Sequence, residues 1–203
     1  MRRFISIILA LALVFALAGC GHSGGNGESP EGTIKTFCEA LRDYDLKKVA
    51  STIKNGNAGD LDPGKNMPEA FEKYLKQWAG KLKYKIGEVK ADGQNAEVTV
   101  TLTYTDASAP MAAAVKATLS EAIKAAMSGE VSQEKMMSIL MECIEKALKE
   151  NKTSEAMLTA TFKLVQTADG WKITDVPPSV VNAATFNIMG VFRNLGVDII
   201  SAL

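Results

Sequence analysis

The chain has 203 residues, with 23 Lys and Arg against 23 Asp and Glu and a single His, so its formal net charge is zero. A neutral chain without a basic block offers no electrostatic footprint for nucleic acid or for a charged membrane patch. With one His and no CxxC pair a Cys/His zinc site is excluded and no cofactor is expected, while 47% apolar residues suffice for one domain-sized core.

The first residues set a location. Arg2 and Arg3 precede an apolar run from Phe4 to about Ala16. The run is shorter than the roughly 20 residues of a membrane-spanning helix, but it fits a secretory h-region. Leu17-Ala18-Gly19-Cys20 then resembles the lipobox of bacterial lipoproteins. That resemblance implies a signal peptide over 1–19, a diacylglyceryl group on the Cys20 thiol, and a protein anchored by its lipid to the extracytoplasmic face of the cell membrane. The alternative is an ordinary signal peptide with an incidental cysteine. Two acyl chains hold a protein stably where one binds reversibly. Residues 20–28, rich in Gly, Ser and Asn, read as a flexible linker in which His22 has no assigned role. Residues 29–203 read as one domain.

Ser29-Pro30-Glu31 carries the signature of a helix start, a cap followed by Pro and an acid in the first turn. Ile34, Phe37, Cys38 and Leu41 share a face of that helix, which runs to about Tyr44. Asp45 caps a shorter one through about Ile53. Residues 55–64 form a loop dense in turn formers, and its Asp60-Leu61-Asp62 stretch lacks the oxygen spacing of a calcium site. A third helix spans about Pro68 to Ala79. The period then changes to two. Leu82, Tyr84 and Ile86 alternate with lysines, Asp92-Gly93 turns, and Val98, Val100, Leu102 and Tyr104 alternate with Thr99, Thr101, Thr103 and Thr105. Leu158, Ala160, Phe162 and Leu164 repeat the scheme, and Trp171 and Ile173 continue it after Asp169-Gly170.

Between these hairpins, 109–150 reads as a helical insertion. Its first helix, about Ala109 to Met127, carries Val115, Leu119, Ile123 and Met127 on one stripe. Its second, about Ser132 to Lys149, turns Met136, Leu140, Cys143 and Ile144 inward. A C-terminal helix is expected from about Val180 to Leu195 or beyond. The fold class is therefore α+β: N-terminal helices on a curved antiparallel sheet of about four strands, a two-helix insertion, and a C-terminal helix. Residues 29–53 and 167–176 resemble the first helices and the closing hairpin of small lipoproteins with a nuclear-transport-factor-2-like, or cystatin-like, domain. The resemblance implies a cone-shaped sheet sealed by Trp171. The insertion and the extended C-terminus depart from that plan.

Candidate chemistry is sparse. Some relatives of that fold isomerise or dehydrate small molecules with an Asp or His beside a Tyr; this domain holds no His. Tyr84 and Tyr104 are the inward aromatic hydroxyls, and Glu88 and Asp175 fall on inward strand positions where solvated acids are commoner. Methionines gather in the insertion, Met136 and Met141 among them, where they fill a core or line an adaptable apolar groove. Tyr84, Tyr104, Glu88, Trp171, Met136 and Met141 thus form the candidate pocket. Cys38 and Cys143 are either a disulfide or two buried thiols. The expected function is non-catalytic binding of an apolar small molecule, peptide or envelope protein partner. The alternative is a structural or regulatory module that dimerises through the sheet face at Thr101 and Thr161, and third comes a small isomerase or hydrolase.

Overall fold

The alternation of apolar residues with threonine over 98–105 becomes the second strand of a sheet in the computed structural model, which describes residues 29–56, 69–129 and 132–194 apart from the side chains of Ala70, Gln133 and Phe192. Cys20 and its lipobox, the 20–28 linker with His22, the Asp60–Asp62 loop and everything beyond Asn194 lie outside the described residues. The strands are β1 (Lys83–Asp92), β2 (Asn95–Asp106), β3 (Ser154–Thr167) and β4 (Gly170–Asp175), in the order β1-β2-β3-β4 with every neighbouring pair antiparallel. The fold is α+β. Along β2, Val98, Val100 and Leu102 are buried, and on β3 Phe162 and Leu164 follow. The threonines between them take the other face, where Thr99 shares a hydrogen bond with Thr161 and Thr101 with Thr159, at 3.2 and 3.0 Å. Period-two alternation makes one face oily and one face wet.

The oily face is covered by α1 (Pro30–Arg42), whose Ile34, Phe37 and Cys38 enter the same cluster as the strand valines. Ser29 caps it by accepting the Gly32 amide at 3.1 Å, as its sequence predicts. The Phe37 and Phe162 rings meet edge to face at 5.4 Å. Asp45 caps α2 (Leu46–Thr52) through the Lys48 amide. The chain leaving α2 pairs with the free edge of β4: Lys54 donates its amide to Ile173, and the Lys172 ammonium reaches the Ser51 carbonyl. Partnering an exposed edge in this way removes a template for aggregation.

A second apolar cluster stands beyond the end of β2. Trp78 of α3 (Glu69–Ala79) is its centre, with Tyr74 at 5.9 Å and Phe186 at 5.5 Å. Met111 and Ala114 of α4 (Ser108–Met127), Ile144 and Ala147 of α5 (Gln133–Glu150), and Ile188 and Val191 complete it. Helices α4 and α5 pack along each other as the insertion between β2 and β3.

Two expectations change. The C-terminal helix is broken into α6 (Pro178–Ala184) and α7 (Ile188–Asn194), because Phe186 and Asn187 take left-handed φ values of 55° and 61°. The apolar period continues through the break, so periodicity alone does not reveal it. Cys38 and Cys143 are free and buried in separate clusters, one under the sheet and one inside the α4–α5 hairpin, so the disulfide alternative gives way to two buried thiols. Burial first, then the Glu39 charge, pushes the Cys38 thiol up to about 12, and such a thiol is unreactive at neutral pH. Denatured protein from residue 29 onward should therefore give two reactive thiols with or without reductant. In the native state Cys38 should resist alkylation; one thiol pair appearing only after reduction would contradict this packing.

Candidate functional site

The candidate pocket residues are scattered over the fold and do not share one cavity wall. Tyr84 and Trp171 border the cluster under the sheet, but Ile34, Phe37, Val98, Val100, Phe162 and Ile173 fill the space between α1 and the strands at 0–2% exposure. The Tyr84 hydroxyl donates to Glu39 Oε1 at 3.2 Å. Burial, then the Glu39 charge and that hydrogen bond, push the phenol above its ordinary 10.0, so it stays neutral. The Trp171 backbone carbonyl accepts the Thr33 hydroxyl at 3.2 Å, which ties α1 to β4.

Neither inward acid points inward. Between Ile86 and Val89 the β1–β2 register shifts, so Gly87 and Glu88 together oppose Thr99. The extra residue of a bulge reverses the parity beyond it, and Glu88 emerges 64% exposed with Lys90 at 3.1 Å. The same device acts on β4. Ile173 pairs with Leu164 but Asp175 pairs with Lys163, which leaves Thr174 unopposed and Asp175 exposed. Alternation was sound up to each bulge and misleading after it.

Tyr104 belongs to a polar cluster whose members come from parts of the chain far apart in the sequence. The Asn187 amide donates to Asp106 Oδ2 at 2.8 Å and to the Tyr104 hydroxyl at 3.2 Å, while Tyr104 donates to Asn187 Oδ1 at 3.4 Å. Asp106 Oδ1 accepts the Ser108 amide at 2.8 Å, so the same carboxylate caps the start of α4. Burial pushes the Asp106 carboxyl up, but hydrogen bonds from the Ser108 hydroxyl and amide and from Asn187 outweigh it and hold the group below its ordinary 3.8. A carboxylate so fully engaged is a weak base at neutral pH. The arrangement ties the end of β2 and the first turn of α4 to the α6–α7 break. The signal in the sequence is the asparagine, which tolerates a left-handed backbone better than most residues.

Met136 packs with Ala125, Ile139 and Cys143 inside the hairpin, and Met141 borders the Trp78 cluster. Neither faces Tyr84. The apolar stripe of α4 lies elsewhere again. Leu119, Ile123 and Met127, four residues apart, are 64, 55 and 86% exposed. The buried side of α4 is instead Met111, Ala114 and Ala125. Its 20 residues hold only three charges, Lys116, Glu121 and Lys124, and the last two form an ion pair at 2.7 Å. A helix apolar around its girth is ordinarily covered all round; this one is covered on one side.

Among the described residues no helix is long and apolar enough to cross a membrane, and no group of three or more His, Cys, Asp or Glu is placed to hold a metal ion. No protein-family model matches the chain, and no curated protein matches it. Among solved structures it is similar to a candidate dehydratase of the nuclear-transport-factor-2-like family from Streptomyces avermitilis, at 15% identity and a TM-score of 0.31, over 70% of this chain and 86% of that one. A likeness of this size carries nothing about activity from that protein to this chain.

Proposed function

We propose that the protein is a lipid-anchored, extracytoplasmic component of a bacterial envelope whose nuclear-transport-factor-2-like domain works by binding rather than by catalysis. Residues 1–19 are its signal peptide, Cys20 carries the diacylglyceryl group, and the segment 20–28 is the leash. The observation that carries the binding reading is the uncovered face of α4 at Leu119, Ile123 and Met127. Three large apolar side chains aligned on one helix face form a patch that gains free energy when something apolar covers it. The filled interior under the sheet and the self-satisfied Asp106 cluster support the non-catalytic part.

A second reading rests on the wet face of the sheet. Thr159, Thr161 and Lys163 are exposed there, beside the paired hydroxyls of Thr99 and Thr101. A dimerising or partner-binding module would use this face. Lysine substitutions at Thr101 and Thr161 would then halve the solution mass, and an unchanged mass removes that reading.

Four outcomes are expected. Cys20→Ser should leave the chain without lipid, and unchanged lipid labelling of that variant would contradict the anchor. Leu119→Ser with Ile123→Ser should lower binding of an apolar fluorescent dye while the melting temperature stays within a few degrees. A loss of about 2–5 kcal/mol, as for core truncations, would show that the stripe is core. Asn187→Ala should cost about 2 kcal/mol, because it removes the side-chain hydrogen bonds to Asp106 and Tyr104 and puts at positive φ a residue that tolerates it less well than asparagine; Asn187→Gly should recover part of this. Because the folded Asp106 value is depressed, its contribution to stability is present above its ordinary 3.8 and is lost as pH falls through the lower folded value. Asp106→Asn should therefore lack that part of the acid limb in a melting-temperature series. Loss of a measurable turnover at Tyr104 or Asp106 without loss of stability would support the enzyme reading instead.

A further inference from the structure

The shape of the α4 face limits what can cover it. Leu119, Ile123 and Met127 form a ridge along the outer side of one helix, with Lys116 one turn ahead of Leu119 on the same side. The ridge is convex, whereas small molecules are held in concave sites and docking helices in grooves. It is also small. A stable protein–protein interface draws on about 20–30 residues and about 800 Å² from each partner, far more than three large side chains provide. A second copy of this chain would meet the same shortage. A plane of lipid has no such requirement, because each side chain enters it independently and needs no complementary pocket.

The chain itself brings that plane near. From Cys20 to Ser29, where the described domain begins, there are nine residues, which span at most about 30 Å when fully extended. A lipidated Cys20 would keep Ser29, and with it the near side of the domain, within that distance of the bilayer. Tethering raises the local concentration of the surface, so a contact too weak to recruit the protein from solution suffices once it is anchored. Lys116 can lay its aliphatic stem along the ridge and leave its ammonium among the headgroups.

We propose that the Leu119–Ile123–Met127 ridge of α4 rests in the headgroup region of the bilayer to which Cys20 anchors the chain, and so fixes how the domain stands on the membrane. This rests on the lipid-anchor reading above. The ridge meets lipid through its three apolar side chains, and the wet Thr/Lys face of the sheet does not take part.

Two methionines already in the chain report on it. Met127 lies on the ridge and Met157, 72% exposed, lies on β3 opposite Thr103. The chain from Cys20 onward is coupled through the Cys20 thiol to maleimide lipid in phosphatidylethanolamine and phosphatidylglycerol vesicles. Sulfoxide formation by the anionic oxidant chloramine-T is then followed at both positions by peptide mass. The control is the same chain with Cys20 blocked by a soluble maleimide. Met127 should oxidise several-fold more slowly on vesicles while Met157 keeps its rate, and Leu119→Ser with Ile123→Ser should restore the Met127 rate. Equal Met127 rates with and without vesicles would overturn the proposal. Protection that appears in solution and grows with protein concentration would also overturn it, in favour of a second copy. The anchor is read separately, from the mass of the Cys20 peptide isolated from host membranes. An unlipidated Cys20 would refute that reading while the coupled-vesicle result still decides whether the ridge meets lipid.

Discussion

The pairing of β2 with β3 positions nearly everything else in this molecule. Twelve residues of each strand run in unbroken antiparallel register, from Asn95 opposite Val165 to Asp106 opposite Ser154. The rows alternate between core and solvent, Val98 with Phe162 inside and Thr99 with Thr161 outside, and a slip of one residue would exchange the two faces. The last row, Asp106 with Ser154, holds the two ends of the insertion one strand apart. The long excursion between them therefore adds little to the cost of closure, which grows only with the logarithm of loop length. The insertion can be an antiparallel helical hairpin because its ends are already adjacent.

From that frame follows the division of the chain into a filled interior and an open periphery. α1 closes the oily face of the sheet with Phe37 against Phe162, and Tyr84 packs at the border of that cluster with its hydroxyl on Glu39. At the far end of β2, Asp106 caps α4 and binds Asn187, so one carboxylate joins the sheet, the insertion and the C-terminal helices. The near half of α4 is held by Met111 and Ala114 in the Trp78 cluster. Among the described residues its far half packs on α5, through the small cluster of Ala125, Ile139 and Cys143, and the apolar ridge lies on its opposite side.

Much of this was legible. Threonine alternating with apolar residues marks both central strands, and Ser29 and Asp45 cap the helices that their neighbours announce. The order of elements and the position of the insertion also followed from where the apolar period changes. Three things were hidden for physical reasons. Bulges move Glu88 and Asp175 to solvent, and an alternating sequence does not say where an extra residue is absorbed. The break at Phe186 and Asn187 is set by tertiary hydrogen bonds to Tyr104 and Asp106, which lie some eighty residues away along the chain. On α4, alanines on both sides make either face fit to pack, so the stripe at Leu119, Ile123 and Met127 looked like the core side. The buried residues are Pro110, Met111, Ala114 and Ala125, and the two alanines let α5 approach closely.

The sheet carries the stability of the fold, and among the described residues the outer half of the hairpin is held on one side. Native-state hydrogen exchange of the unanchored chain under mild denaturant tests it most directly. Amides of Val98–Tyr104 and Leu158–Leu164 should exchange only through global unfolding, and those around Leu119–Met127 through a separate opening of lower free energy. Equal protection of the two regions, with the same denaturant dependence, would mean that the outer half of α4 is buried as deeply as the sheet and would contradict the account.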